Sequence, residues 1–461
     1  MVIFNIHDRT MRLNTFFKIL VLSFFLIACS KDTLPEESGG GVVYEYPPNT
    51  LPLVAIYTQN VVVPDEPKIR ATLKISERGE PLFEGPIGIE TRGQSSQYFY
   101  PKKQYGFETR STEDFELDVD VSLLGLPEEE DWILQAPYGD KSLMRNVLTY
   151  SLSEDMGRYA SRTRYVNLNL NDQNDGVYVL MERLKRDVNR IDINELRPVE
   201  NEGSALTGGY ILKIDKGTDI NATTAFASKY TSSEQSVIHF LYETPDAETI
   251  TASQKDYIQG YISDFEDALQ SENFTDDNEG YKAFIDVDSF VDFFILTELG
   301  NNVDGYRLST WLTKDRDEKL KMGPIWDFNL AYGNANYCAA ERYDVWAYRL
   351  SERCPGDFYP VPFWWMRLMQ DPAFKEAVKT RFTALRQGVL SDASIAAKIE
   401  SYRELLDSSN NAGYNFTRWP ILGEWVWPNF FVGQTYNEEV DYLKEWTLNR
   451  TAWLDQQISQ F

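Results

Sequence analysis

The stretch from Asn301 to Asn334, NNVDGYRLSTWLTKDRDEKLKMGPIWDFNLAYGN, constrains this chain more than any other. It opens with a polar turn, Asn301-Asn302-Val303-Asp304-Gly305. Apolar and aromatic residues follow (Tyr306, Leu308, Trp311, Leu312), then a charged turn from Lys314 to Glu318. A second apolar run, Leu320 to Ile325, ends at Trp326-Asp327-Phe328-Asn329. The pattern predicts strand, turn, strand, with an acid at each outer end. The outer ends of a hairpin are neighbours, so Asp304 and Asp327 are expected to meet at one edge. Two carboxylates brought together raise each other's pKa unless a cation sits between them. A divalent metal, or a base beside a metal-held substrate, is the natural use of such a pair.

Composition narrows the choice. Of 461 residues, 43% are hydrophobic, enough for a large two-lobed domain or two domains. Acidic residues number 71 against 45 basic ones, a formal charge of −26 that argues against a nucleic-acid partner, whose phosphates demand a basic face. Only 2 histidines are present. His7 lies in a segment expected to be removed, and one histidine cannot build a His-rich zinc or iron site. His239 sits in the apolar run Val237 to Tyr242, a setting that suits packing better than a Ser-His-Asp triad.

Ile19 to Ala28 is a short apolar run preceded by Arg12 and Lys18, too short for an ordinary transmembrane helix and built like a secretion signal. Leu26-Ile27-Ala28-Cys29 resembles a bacterial lipobox, which implies a signal peptide over residues 1–28 and a lipidated Cys29. An uncleaved anchor is the alternative. Residues 29–50, with Gly39-Gly40-Gly41, several prolines and several acids, read as a flexible tether. Ser30 and Lys31 do not resemble an inner-membrane retention signal, so the expected location is the outer membrane of the cell envelope, with the lipid as the only membrane contact. In an exported protein the two remaining cysteines, Cys338 and Cys354, are expected to form a disulfide; two free buried thiols are the alternative.

Strands are predicted at Leu51–Tyr57, Ile69–Ile75, Ile87–Glu90, Pro101–Glu108, Asp131–Pro137 (a strand or a turn), Tyr165–Leu170, Val177–Met181 and Gly208–Asp215. Between the third and fourth lies Thr91-Arg92-Gly93-Gln94-Ser95-Ser96, whose free N–H groups, hydroxyls and guanidinium suit an anion. A solvated hairpin is the plain alternative. Helical periodicity marks a segment after Asp140 with Leu143, Val147, Leu148 and Leu152 apolar. It recurs at Ser253–Leu269, Ser289–Leu299 (capped by Asp286 or Asp288), Phe363–Leu368, Pro372–Leu385, Ile395–Leu406 and Glu438–Ile458. The prediction is an α+β chain with a β-rich first part, residues 51–245, and a helical second part, residues 246–461. Trp419 to Phe431 is aromatic-rich, which suits packing; a sugar-stacking surface is the alternative.

Several of these segments recur in a known order: Arg92-Gly93-Gln94-Ser95-Ser96 with Pro101-Lys102-Lys103, Leu143-Met144-Arg145-Asn146, Gly176-Val177-Tyr178 with Glu182, Gly208-Gly209-Tyr210, Asn302 with Asp304, and Trp326-Asp327-Phe328. Together they resemble the CotH-type spore-coat kinases, an atypical branch of the protein-kinase fold. The resemblance implies a two-lobed kinase-like fold, with residues 51–245 as a β-rich N-lobe and residues 246–461 as a helical C-lobe. It also implies phosphate transfer from ATP, with Mg2+ or Mn2+, to hydroxyls of an exported protein acceptor. Asp304 then orients and deprotonates the attacking hydroxyl. Asp327 holds the metal, with Ser309 and Asn329 as further ligands. Arg92, Ser95, Ser96 and Lys103 face the nucleotide, and Glu182 pairs with a lysine.

The family commonly has Asn at the position of Ser309 and a second acid at that of Asn329. The neutral replacements are expected to weaken metal binding. The alternative function is therefore a pseudokinase-like surface lipoprotein that binds a protein or glycan partner. A carbohydrate-active hydrolase with paired carboxylates is a third reading, which the resemblance disfavours.

Overall fold

Alternation along the apolar strands sets the architecture. In Gln173–Glu182, Tyr178 and Leu180 pack into one core while Val177, Val179 and Met181 pack into another, so a continuous apolar run serves as a strand buried on both faces. The structure is a computed structural model that describes residues 51–216, 220–230 and 237–461. The signal segment, Cys29 and the tether lie outside the described residues. Those described fall within one compact unit.

Seven strands close into a barrel: β1 (Leu53–Tyr57), β2 (Ile69–Glu77), β3 (Glu80–Arg92), β4 (Gln104–Thr109), β5 (Asp131–Gln135), β6 (Thr163–Leu170) and β7 (Gln173–Glu182). Their order is β1-β2-β3-β4-β5-β7-β6, closed by parallel pairing of β1 with β6, Leu53 opposite Asn167. Phe107, Trp132, Leu134, Val166 and Leu168 help fill its interior. A second sheet joins β8 (Tyr210–Ile214), β9 (Ala225–Ala227), β10 (His239–Thr244), β11 (Thr310–Lys314) and β12 (Lys321–Met322) in the order β12-β11-β8-β10-β9. This sheet takes strands from both sides of residue 245, where the sequence pattern changes from sheet to helix. The fold is α+β.

The helices lie close to their predicted spans: Ala252–Gln270, Val287–Gly300, Phe363–Leu368, Pro372–Arg386, Asp392–Asp407 and Tyr436–Ile458. Asp286 caps the second, accepting the Ser289 N–H at 2.8 Å. Val287–Gly300 is buried along nearly its whole length and ends at Asn301, in the left-handed conformation with φ 40°. Near its end Glu298 accepts hydrogen bonds from the Ala347 and Tyr348 N–H groups and the Tyr306 hydroxyl, and pairs with buried Arg450 at 3.0 Å. This network fixes the point from which the Asp304 loop departs.

The aromatic stretch from Trp419 packs partly against the barrel side and partly against the C-terminal helix, where Phe431 stacks on Tyr442. Trp419 donates to the Asp175 carbonyl, and Trp427 stacks on Phe99 with centroids 4.1 Å apart; Trp425 and Phe430 stay exposed. Buried Lys102 joins the barrel to helix Asn411–Arg418 by donating to the Val177 carbonyl and to Asn415 Oδ1. Burial pushes its pKa down to about 7. Cys338 and Cys354 are disulfide-bonded. Among the described residues no helix is long and apolar enough to cross a membrane.

Candidate active site

The hairpin forms as the sequence predicts, though shorter. β11 and β12 pair antiparallel, with Leu312 opposite Met322 and Thr313 opposite Lys321. Beyond their outer ends lie Asp304 and Asp327, and one side chain ties the two segments together. Asn302 accepts the Asp304 N–H through Oδ1 at 3.2 Å and donates through Nδ2 to the Asp327 carbonyl at 3.2 Å. Leu308 N–H donates to the Asp304 carbonyl at 2.9 Å, which closes the loop into a compact turn.

Asp327 sits in the left-handed region with φ 61°, which short polar side chains tolerate better than others. Helix Arg145–Asp155 holds it there: the Asp327 N–H donates to the Tyr150 hydroxyl at 3.1 Å and the Phe328 N–H to Asn146 Oδ1 at 2.7 Å. Tyr150 also stacks on Trp326.

A third acid joins the pair. β8 runs antiparallel to β11 with Ile214 opposite Thr310, so the next residues, Asp215 and Ser309, meet at the same sheet end. Ser309 Oγ lies 3.5 Å from Asp215 Oδ2. The charges of Asp304 and Asp215 both act on Asp327. Burial, then the charges of Asp304 and Asp215, raise the Asp327 carboxyl to about 6 against the opposing pull of Arg92 and Lys216. Asp304 is also raised, first by burial and then by Asp215 and Asp357, against Arg307 and Lys216. Arg307 is 3.5 Å from the Asp304 carboxylate and is itself fixed by Asp357 and by the Val303 and Tyr359 carbonyls. The disulfide borders this support, since the Asp357 N–H donates to the Cys354 carbonyl.

The other sequence-predicted residues divide. Arg92, at the end of β3, faces the acids: its guanidinium is 5.9 Å from the Trp326 ring centroid and its charge acts on Asp327. Burial and the neighbouring Arg183 lower its pKa to about 10, so it stays charged at neutral pH. Ser95 reaches the site through Lys216, whose ammonium donates to Ser95 Oγ at 2.9 Å. Ser96 instead accepts from Gln104. Lys103 turns onto the carbonyls of Gln97 and Tyr100, and so braces the loop from behind. Glu182 is buried against Arg162 and Tyr159; its cationic partner is an arginine, where a lysine was expected. Asn329 accepts through its backbone carbonyl from Asn334.

Sequence reasoning did not single out Asp215, Lys216, Tyr150 or Arg307 as site residues. The signal for Asp215 was present, since Lys213 and Asp215 alternate as polar residues on an apolar strand. What the sequence lacks is the pairing of β8 with β11 across 94 residues.

Three acids flanked by an arginine and a lysine, on loops fixed by hydrogen bonds, define a site that can take a cation and an anionic ligand together. Their hard oxygen donors fit magnesium or manganese, and their mutual repulsion is what such a cation relieves. The CotH kinase protein family model matches residues 89–454, and the chain belongs to this family. Membership points to a kinase-like function with use of ATP and a divalent metal. Among curated proteins none matches the chain.

Proposed function

We propose that the protein is a phosphotransferase that moves the terminal phosphoryl group of ATP to hydroxyls of an exported protein acceptor. The observation that carries this reading is the Asn302 bridge, which brings the Asp304 loop and the Asp327 turn to one place. Asp304 orients the acceptor hydroxyl and takes its proton; its raised pKa makes it a stronger base than an ordinary aspartate. Asp327 would hold the metal, with Ser309 and Asn329 as further ligands. Arg92 and Lys216 face the phosphates, and Ser95 holds the lysine in place. A metal held there would neutralise charge on the phosphoryl oxygens, and the alignment of acceptor and phosphate by these residues would supply the rest of the catalysis. Under this reading the barrel and the helix-rich remainder act as the two lobes, and Cys29 anchors the protein by lipid to the outer membrane.

The test is transfer of labelled phosphate from ATP to envelope proteins, compared with Asp304→Ala and Asp327→Ala. Transfer that both substitutions abolish supports the reading. A second reading, a surface module that binds a protein or glycan partner without turnover, draws on the neutral side chains of Ser309 and Asn329. Thermal stabilisation by ATP and magnesium without any transfer would favour it.

A further inference from the structure

Of the three residues expected to hold the metal, only Asp327 carries a charge. Magnesium and manganese sites at nucleotide phosphates are usually built on one or two carboxylates, with the remaining positions filled by phosphate oxygens and water. A site reduced to one carboxylate, a hydroxyl and an amide would hold its ion weakly. The sheet register offers a remedy from a part of the chain distant in sequence. We infer that Asp215 is the second anionic ligand of the metal at this site. The inference rests on the kinase reading above and deepens it.

The position follows from pairing. Ile214 lies opposite Thr310, so the chain leaving β8 and the chain entering β11 pass side by side, and the Asp215 carboxylate comes within 3.5 Å of Ser309 Oγ. Asp215 therefore stands where Ser309 alone would offer a neutral oxygen. Its backbone setting is firm, because β8 is the central strand between β11 and β10.

Asp215 also has a releasable partner. Lys213, two residues earlier on the same strand face, pairs with Asp215 Oδ2 at 2.9 Å and lies 3.7 Å from Glu243. When a cation takes the Asp215 carboxylate, the lysine retains Glu243.

Manganese binding measured by electron paramagnetic resonance in the presence of ADP separates the roles without reference to turnover. Wild type, Asp215→Asn and Lys213→Met are compared, each first checked for a cooperative melt. Asp215→Asn is expected to weaken Mn2+ binding by about tenfold or more, the scale of effect that even outer-shell partners of metal ligands produce. Lys213→Met, which frees the carboxylate, is expected to bind Mn2+ at least as tightly as wild type. Wild-type affinity in Asp215→Asn overturns the inference and leaves the kinase reading intact. No Mn2+ binding by wild type removes the metal reading itself. Should Asp215→Asn fail to fold, anomalous scattering from wild-type crystals grown with MnCl2 and ADP decides. Manganese at coordination distance from the Asp215 carboxylate supports the inference, and coordination by Asp327 and phosphate without Asp215 overturns it.

Discussion

Replacing Asp327 with Asn should stabilise the metal-free protein at neutral pH, and the structure gives the size. The carboxyl is raised from its ordinary 3.8 to about 6, chiefly by burial and then by Asp304 and Asp215. A raised carboxyl pKa means that the folded chain holds the proton more tightly than the unfolded one, so ionisation opposes folding. The opposition is absent below pH 3.8, grows between there and about 6, and is constant above. Two pKa units correspond to at most ~3 kcal/mol at pH 7.5, with solvent at the half-buried side chain reducing it. Asn keeps the shape and tolerates φ 61°, so little new backbone strain arises. The assay is urea unfolding of wild type and Asp327→Asn in EDTA without nucleotide, at pH 7.5, 5 and 4. The variant should lead by about 2–3 kcal/mol at pH 7.5, by roughly half that at pH 5, and by close to nothing at pH 4. A variant no more stable than wild type at pH 7.5, or a lead independent of pH, would refute the crowded-acid argument.

Three further outcomes are expected. Arg450→Met should lose about 3–5 kcal/mol in denaturant unfolding, because it leaves Glu298 charged and buried without its cation; a loss under about 1 kcal/mol would contradict this. The double substitution Cys338→Ser with Cys354→Ser should lower stability by about 3 kcal/mol, as the bridge closes a short loop of sequence separation 16. Gly93→Ala should raise KM for ATP roughly tenfold in the transfer assay, because Gly93 has φ 93° and a Cβ there would lie 2.2 Å from Ser96 Oγ, which displaces the loop that carries Ser95. An unchanged KM would show that the loop does not meet the nucleotide.

Much of the framework was legible because periodicity is a local property. The apolar run within Gln173–Glu182 and the apolar stripe of Pro372–Arg386 are each visible within one element; the helix keeps its predicted start and ends one residue later, whereas the strand begins four residues before the predicted Val177. Barrel closure was not legible, since nothing within Leu53–Tyr57 or Thr163–Leu170 announces that these strands pair in parallel. Lys103 shows the limit of parity arguments. Tyr105 and Phe107 do share the barrel interior, but Lys103 stands just before β4, where the chain is still turning, and its ammonium folds back onto the preceding loop. Glu182 was assigned from resemblance, and burial on β7 gives it an arginine and a tyrosine as partners.

The Asp304 and Asp327 pair was legible for a different reason: a hairpin brings its own ends together, whatever the rest of the chain does. What the sequence could not show is how the pair is held. Asp327 is fixed by its backbone alone, with the N–H on Tyr150 and the carbonyl on Asn302. Among the described residues its carboxylate makes no hydrogen bond or ion pair. Asp304 is anchored likewise through its N–H and carbonyl, and among the described residues its carboxylate has only Arg307, at 3.5 Å. Supports of this kind are neutral and leave the acid oxygens free. The cations that act on Asp327, Arg92 and Lys216, offset part of the repulsion without engaging its carboxylate. A group held rigidly by its main chain and left unsatisfied at its reactive atoms is pre-organised for a ligand, and the instability stored there is recovered when a cation binds.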